Sequence, residues 1–448
     1  MLVVCAGLIF ISCKDDLEMS VSSNNETLDS YPDTVHIDVK SNVRWAIESN
    51  SDWLIVSPME GRGNGTLSIS ATENPEFYDR TAKIVISGIG VRTDTISILQ
   101  TRDFDIFPSI VDTAFRRYVL DRFDKYPKDG MISQREARNV DTIIVSSRQI
   151  QSLEGIEHFT QLIHLDCEVR FAGNDSSVKL KRLDVSKNTK LRILNCIGND
   201  IETLDVTANK ELRRLFCSFN PITNLDISGL TELIEVEVFS ADLQGIDVGT
   251  NTGLRALLIS NNERIRNLNL SNNLELRDLQ CNRTGLTNLD ISNNSELMIL
   301  YCANNQLSSL NISSNTKLQH LNCDENQFSI PTINTSNNPA LISLSCRTNR
   351  FTSLDVSRNI NLEYLYCDNN RLESLNLSQN AKLLRLNCQN NNINGIIDLS
   401  NIRLGYLHMN FLNNPRLHTI EVPKGFIQHA TDNPQIFKDT HTQWVEKP

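Results

Sequence analysis

The sequence predicts a multidomain chain: a small all-β sandwich, a short helical segment, and a long solenoid built on parallel strands. Three observations carry that reading. One phrase recurs through more than half of the 448 residues, most copies lying 21 residues apart. Nine of the eleven cysteines stand at a single position of it. Ahead of it the texture changes to short apolar runs separated by turn residues. A fixed period of this length means stacked units, each burying its apolar face only against its neighbours.

The chain opens with an apolar stretch, Met1 to Ser12, too short to span a bilayer and fitting a secretory h-region. Phe10-Ile11-Ser12-Cys13 resembles a bacterial lipobox, although Phe10 stands where Leu is usual and the basic n-region is missing. Lys14-Asp15-Asp16 resembles the export signal of surface lipoproteins in the Gram-negative Bacteroidetes phylum. The resemblance implies that residues 1–13 are a lipoprotein signal and that the mature chain begins at a lipidated Cys13. The protein would then sit on the outer membrane, facing the exterior, held by that lipid alone. Residues 14–32 are polar and read as a flexible tether.

Residues 33–102 carry the alternating runs 43–47, 53–56, 67–70, 83–86 and 95–99, broken by Gly, Asn and Ser clusters, the pattern of a small Ig-like sandwich. Its landmarks Trp45, Asp52-Trp53-Leu54, Ser57-Pro58, Gly61, Asn74, Arg80-Thr81-Ala82 and Gln100 resemble a BACON domain. That family often precedes surface carbohydrate-processing proteins, which makes Trp45 and Trp53 candidate sugar platforms. In so small a domain tryptophans more often build the core, and the expected role is a spacer.

Residues 103–160 read as a small helical cap. Ser109 is the expected cap of a helix carrying Ile110, Phe115, Val119 and Phe123. Ser133 and Glu136 form a capping-box pattern for a second helix. The stretch 124–136 resembles an EF-hand loop with Gly130 at the obligatory glycine. Lys125 and Pro127 stand where acidic ligands belong, leaving Asp129 and Glu136, so no calcium is expected. A helical cap with a degenerate EF-hand-like loop resembles the one preceding internalin repeats, as does the lead-in at 152–157.

Residues 161–422 read L-x-x-L-x-C-x-x-N-x-L-x-x-L-D-V-S-x-N, with leading leucines from Leu162 to Leu404. This resembles the leucine-rich repeat, in about 12 turns. Alternation through each turn predicts a short strand with Leu and Cys inward and their neighbours outward. The strands would form a parallel sheet on the concave face, with short 3₁₀ or extended segments on the convex side. The column Asn199, Asn220, Asn305, Asn326, Asn349, Asn370 and Asn391 is expected to satisfy buried backbone groups after each strand. Asp205, Asp226, Asp290 and Asp355, each followed two residues on by Ser or Thr, are expected to hold the next turn. The cysteines admit metal, disulfide or packing readings. Val238, Ile259 and Met409 occupy the same position in other turns, which favours a buried apolar column. Residues 417–422 look like a last strand, and residues 423–448 a C-terminal cap in which Phe437 and Trp444 pack on the last turn.

The net charge of −11 argues against nucleic acid as a partner. No H-E-x-x-H, G-x-S-x-G or glycine-rich phosphate loop is present; no catalytic residue, metal or cofactor is assigned, and the chain reads as no enzyme. Function falls to the concave face. Its outward candidates are Tyr301, His320, Arg347, Tyr364, Tyr366, Arg385, Tyr406 and His408 in the later turns, and Phe216 and Phe239, with Glu235 and Glu237, in the earlier ones. Tyr364 and Tyr366 flanked by Arg347 and Arg385 have the composition of an interface hot spot. The leading expectation is a non-catalytic surface lipoprotein gripping an extracellular protein. The alternatives are a glycan-binding protein of a polysaccharide-capture system and a structural envelope protein.

Overall fold

The structure is a computed structural model describing residues 16–30, 32–74, 78–125, 130–146, 149–169, 178–405 and 407–447. It divides into two compact units, Met1–Phe107 with Asp124–Ala137, and Pro108–Phe123 with Arg138–Pro448.

The first unit is a two-sheet sandwich. One sheet runs Met19–Val21, Thr34–Ser41, Gly65–Ala71, Leu54–Ser57; the other runs Asn25–Leu28, Asp94–Gln100, Arg80–Gly88, Arg44–Ser49, Glu60–Arg62. Alternation puts Ile37, Val39, Ile47, Leu67, Ile69, Ile84, Ile86, Ile96 and Ile98 between the sheets. Residues 19–28, read above as tether, are edge strands of both sheets instead. They are short and polar because an edge strand buries little, and Leu28 alone is fully covered. Trp45 is 3% exposed and donates from Nε1 to the Gly63 carbonyl at 2.8 Å. A Cβ on Gly61 would lie 2.1 Å from its ring, which is why glycine stands there. Trp45 is therefore core, and the face of Trp53 is covered by the Arg80 guanidinium 4.5 Å from the ring centroid. The polar landmarks close the sandwich as one knot. Arg80 Nε donates to Gln100 Oε1, Gln100 Nε2 to the Thr72 and Asp29 carbonyls, and Asn74 Nδ2 to the Thr101 carbonyl.

The second unit carries the helix Thr113–Phe123 and the repeats. The helix is capped by Asp112, not Ser109: Asp112 Oδ1 accepts from the N–H of Ala114 and Phe115 at 2.8 and 2.9 Å. Its other oxygen takes the Gln151 N–H, tying the helix to the lead-in. Phe115 and Phe123 meet Phe159 at ring-centroid distances of 6.4 and 6.1 Å. The second predicted helix belongs to the first unit up to Ala137 and is only five residues, Gln134–Arg138, opened by the reciprocal Ser133–Glu136 bonds of a capping box. In the EF-hand-like loop, Glu136 spends both oxygens on the N–H groups of Lys125 and Ser133; Pro127 and Asp129 lie outside the described residues.

Fourteen parallel strands stack in one sheet, which at about 4.8 Å per step is about 60 Å long. Its first strand, Thr142–Ile144, comes from the segment read as cap, and its last is Ile436–Phe437. The predicted last strand, Arg416–Pro423, belongs instead to a second, three-stranded sheet between Asn394–Asp398 and Gln443–Lys447. Trp444 of that sheet packs on Phe411 and Phe426, with centroids 5.9 and 5.1 Å away.

Nearly every strand of the repeats is a triplet whose central Leu, Val or Met is buried and whose flanks are more open. The next residue is the cysteine, and all nine are free and buried. Burial pushes the Cys196 and Cys281 thiols up to about 12. Register corrects one reading: Met409 pairs with Leu386 at the leucine position, so Phe411 replaces the cysteine in the last turn. Leu404, read as a leading leucine, is accordingly 44% exposed.

Two asparagine columns bind the turns together. In the expected one, Asn370 Nδ2 donates to the Cys346 and Cys367 carbonyls while its Oδ1 accepts the Phe351 N–H; most turns repeat the pattern, and Ala241 and Thr284 interrupt it. The second is the asparagine that closes the repeat phrase, whose role the pattern alone did not reveal: Asn188, Asn209, Asn251, Asn273, Asn294, Asn315, Asn338, Asn359 and Asn380 are fully buried, each donating to two carbonyls of an earlier turn. The Asx turns form as expected, Asp205 Oδ1 accepting from Thr207 and Asp355 Oδ1 from Ser357.

Candidate functional site

Each turn offers three outward positions: the two flanks of the triplet and the residue after the cysteine. Parallel pairing in strict register lines them up as three columns across the concave sheet. Tyr364 lies between Ser343 and Arg385, and Tyr366 between Ser345 and Asn387. Arg347 follows Cys346 one strand earlier.

The predicted quartet is brought together. The Arg347 guanidinium sits over the Tyr366 ring, 4.2 Å from its centroid, and that of Arg385 over Tyr364 at 5.9 Å. His408 is next in line, opposite Arg385, with Phe437 at 6.5 Å between ring centroids. His320 lies two strands before Tyr364, and Tyr301 three strands before Tyr366. Phe216 and Phe239 are half-buried on the same face, but their turns stand about seven and six strands away, on the order of 30 Å. They do not join the cluster. Tyr406 and Cys13 lie outside the described residues.

Sequence reasoning missed the acidic frame around Arg347. Asp324 and Asp368 occupy the column of Arg347 on the strands either side. Asp324 accepts from Ser345 Oγ at 2.7 Å and from the Arg347 N–H at 2.6 Å. Asp368 is 5% exposed, takes a bond from Asn369 Nδ2, and lies 3.4 Å from Arg347 Nε without hydrogen-bond alignment. Burial raises both carboxyls above the usual range, and the Arg347 charge offsets part of this. The signal was available, since both follow a cysteine as Arg347 does.

The earlier turns differ in character. Glu235, Glu237 and Asp278 are half-buried, and Glu237 stands between Phe216 and Leu258 of the neighbouring strands. Burial raises Glu237 and Asp278, and the neighbouring Glu235 adds to both. Among the described residues, no group of His, Cys, Asp or Glu is placed to hold a metal ion.

Residues 43–101 match the BACON family, described as "Putative binding domain, N-terminal". The functional domain of InlJ from Listeria monocytogenes, which includes a cysteine ladder, superposes with a TM-score of 0.61 at 26% identity, over 73% of this chain and 74% of that one. The solenoid is a leucine-rich-repeat fold similar to the internalins. The internalin InlF of the same species superposes with a TM-score of 0.51 at 21% identity, over 75% of this chain and 98% of its own. No curated protein matches the chain. An N-terminal BACON domain thus precedes internalin-like leucine-rich repeats, an architecture of binding type.

Proposed function

We propose that this chain is a non-catalytic surface lipoprotein that binds an extracellular protein through the later turns of its leucine-rich repeats. The observation that carries the reading is the pair of tyrosines stacked under guanidinium groups on a rigid sheet. Their rotamers are held before any partner arrives, so little side-chain entropy is lost on binding, and Tyr with Arg dominates interface energetics. The same stacking disfavours the glycan alternative. A sugar stacks on an open aromatic face, and one face of Tyr366 is already taken by Arg347 at 4.2 Å. The anchor rests on the lipobox resemblance at Cys13.

The test is capture of surface proteins by the full chain, followed by affinity measurement with Tyr364→Ala/Tyr366→Ala. A loss of a hundredfold or more is expected from two hot-spot residues at about 2 kcal/mol each; unchanged affinity removes the site. A glycan array should stay dark. Cys13→Ala should abolish fatty-acid labelling, and retained labelling would remove the anchor.

A further inference from the structure

The concave face is not uniform along its length. Its later turns, from Tyr301 onward, balance Asp324 and Asp368 with Arg347 and Arg385. Its earlier turns carry Glu235, Glu237 and Asp278, with Arg214 as a partial counterweight 3.4 Å from Glu235. Three further arginines stand just before strands and pair with glutamates there: Arg192 with Glu211 at 3.0 Å, Arg213 with Glu232 at 3.6 Å, Arg255 with Glu275 at 3.0 Å; Arg277 holds the same place before Asp278. The other two sheet carboxylates are held by neutral groups. Glu237 accepts from Ser218 Oγ at 2.9 Å and Asp278 from Gln280 Nε2 at 3.2 Å. Phe216 and Leu258 flank Glu237 on the strands either side, and Phe239 follows Val238 on Glu237's own turn, all three half-buried. Carboxylates set among apolar side chains on an open sheet face select a partner that brings both cations and apolar groups.

We infer that strands Arg214–Phe216 to Asp278–Gln280 form a second contact zone, complementary to a Lys/Arg-rich segment of the protein partner with apolar residues interspersed. The inference rests on the protein-binding reading above and adds the chemistry of the partner. These four strands span about 15 Å across the sheet, the reach of about five extended residues. A cationic segment laid there meets Glu235, Glu237 and Asp278 in turn, while its apolar side chains cover Phe216 and Leu258. The two zones then divide the labour: the acidic zone steers and orients, and the tyrosine patch anchors.

The experiment titrates the full chain with a fluorescent ten-residue peptide of alternating lysine and leucine, across a salt series. Binding is expected to weaken steadily with salt, and the same peptide with glutamate for lysine should not bind. Glu235→Gln/Glu237→Gln/Asp278→Asn should weaken binding at least tenfold. Neutralising three carboxylates elsewhere, Glu202→Gln/Asp242→Asn/Glu373→Gln, should change it less than twofold. Near-UV circular dichroism of both variants checks that the fold is kept, and Glu235→Lys alone should weaken binding at least fivefold. Equal effects of the two triple variants, or an effect of neither, would overturn the inference. The peptide titration does not depend on the tyrosine patch. Failure here leaves the protein-binding proposal standing, and failure of the Tyr364/Tyr366 test leaves this zone standing.

Discussion

Replacing Asn391 with alanine should open the solenoid locally, at a cost that can be worked from its bonds. Asn391 is 4% exposed. Its Nδ2 donates to the Cys367 and Cys388 carbonyls at 3.0 Å each, and its Oδ1 accepts the Leu372 N–H at 2.9 Å. Neither carbonyl is orphaned by the change, since Cys367 keeps Asn370 and Cys388 keeps Asn414. The Leu372 N–H does lose its acceptor inside the stack. An orphaned buried N–H costs about 1–3 kcal/mol, and each of the two lost bonds about 1 kcal/mol more, so the expected loss is about 3–5 kcal/mol. Asn293, exposed and making one bond to the Ser271 carbonyl, should cost under about 0.5 kcal/mol as alanine. Because turns contact only their neighbours, the damage should stay local. The buried thiols report it. Burial raises their pKa far enough that they stay protonated at pH 8, and labelling requires the turn to open. Cys367 and Cys388 should react with a disulfide reagent about a hundredfold faster in Asn391→Ala, while Cys196 and Cys217 stay protected. A uniform rise across all nine thiols, or a stability loss below about 1 kcal/mol, would refute the account of the asparagine column.

Three further outcomes are expected. In the second asparagine column the Oδ1 of Asn380 is buried without a partner, whereas that of Asn359 lies 2.7 Å from the Thr335 hydroxyl. Val356 stands toward Asn380 as Thr335 does toward Asn359, so Val356→Thr should stabilise by about 0.5–1 kcal/mol in denaturant unfolding; a loss would contradict the geometry. Thr348 holds φ 50°, a left-handed position where Asn304, Asn369 and Asn390 stand in other turns, and Thr348→Asn should gain about 1 kcal/mol by the same measurement. Glu237 and Asp278 have folded-state pKa values raised by burial, so between the usual carboxylate range and those raised values the folded chain binds more protons than the unfolded one. Stability from these groups therefore falls as pH rises through that window. Glu237→Gln/Asp278→Asn should raise the melting temperature at pH 7 and change it little at pH 4; the reverse order would show the sign to be wrong.

The repeat was legible because packing imposes it. Every Leu and Cys that points inward must recur at one spacing, and the asparagines recur because each turn creates the same orphaned backbone groups. The error came where a false phrase competed. Leu404-x-x-Leu407-x-Met409 imitates the repeat, but it puts Leu412 where asparagine belongs. Shifting by two residues puts Asn414 three positions after Phe411, where it donates to the Cys388 and Phe411 carbonyls. The hydrogen-bonding residue was the better guide to register than the apolar ones, because several side chains can fill a core position and few can bridge two carbonyls and an N–H. The strands Met19–Val21 and Asn25–Leu28 escaped for the opposite reason, since an edge strand asks little of its sequence. The site was half legible. Aromatic and arginine residues advertised themselves, whereas Asp324 and Asp368 looked like ordinary surface carboxylates until register set them on either side of Arg347.

The asparagine columns have a consequence for how such a protein changes over generations. Asn370 reaches back to Cys346 and Asn391 to Cys367, and most joints between turns use the same donors and acceptors. A 21-residue segment removed or duplicated at matching points leaves two surfaces that already fit. Gene-level slippage can therefore lengthen or shorten the binding face in steps of one strand, bring the acidic and tyrosine zones closer or further apart, and sample new partners without passing through a misfolded intermediate design.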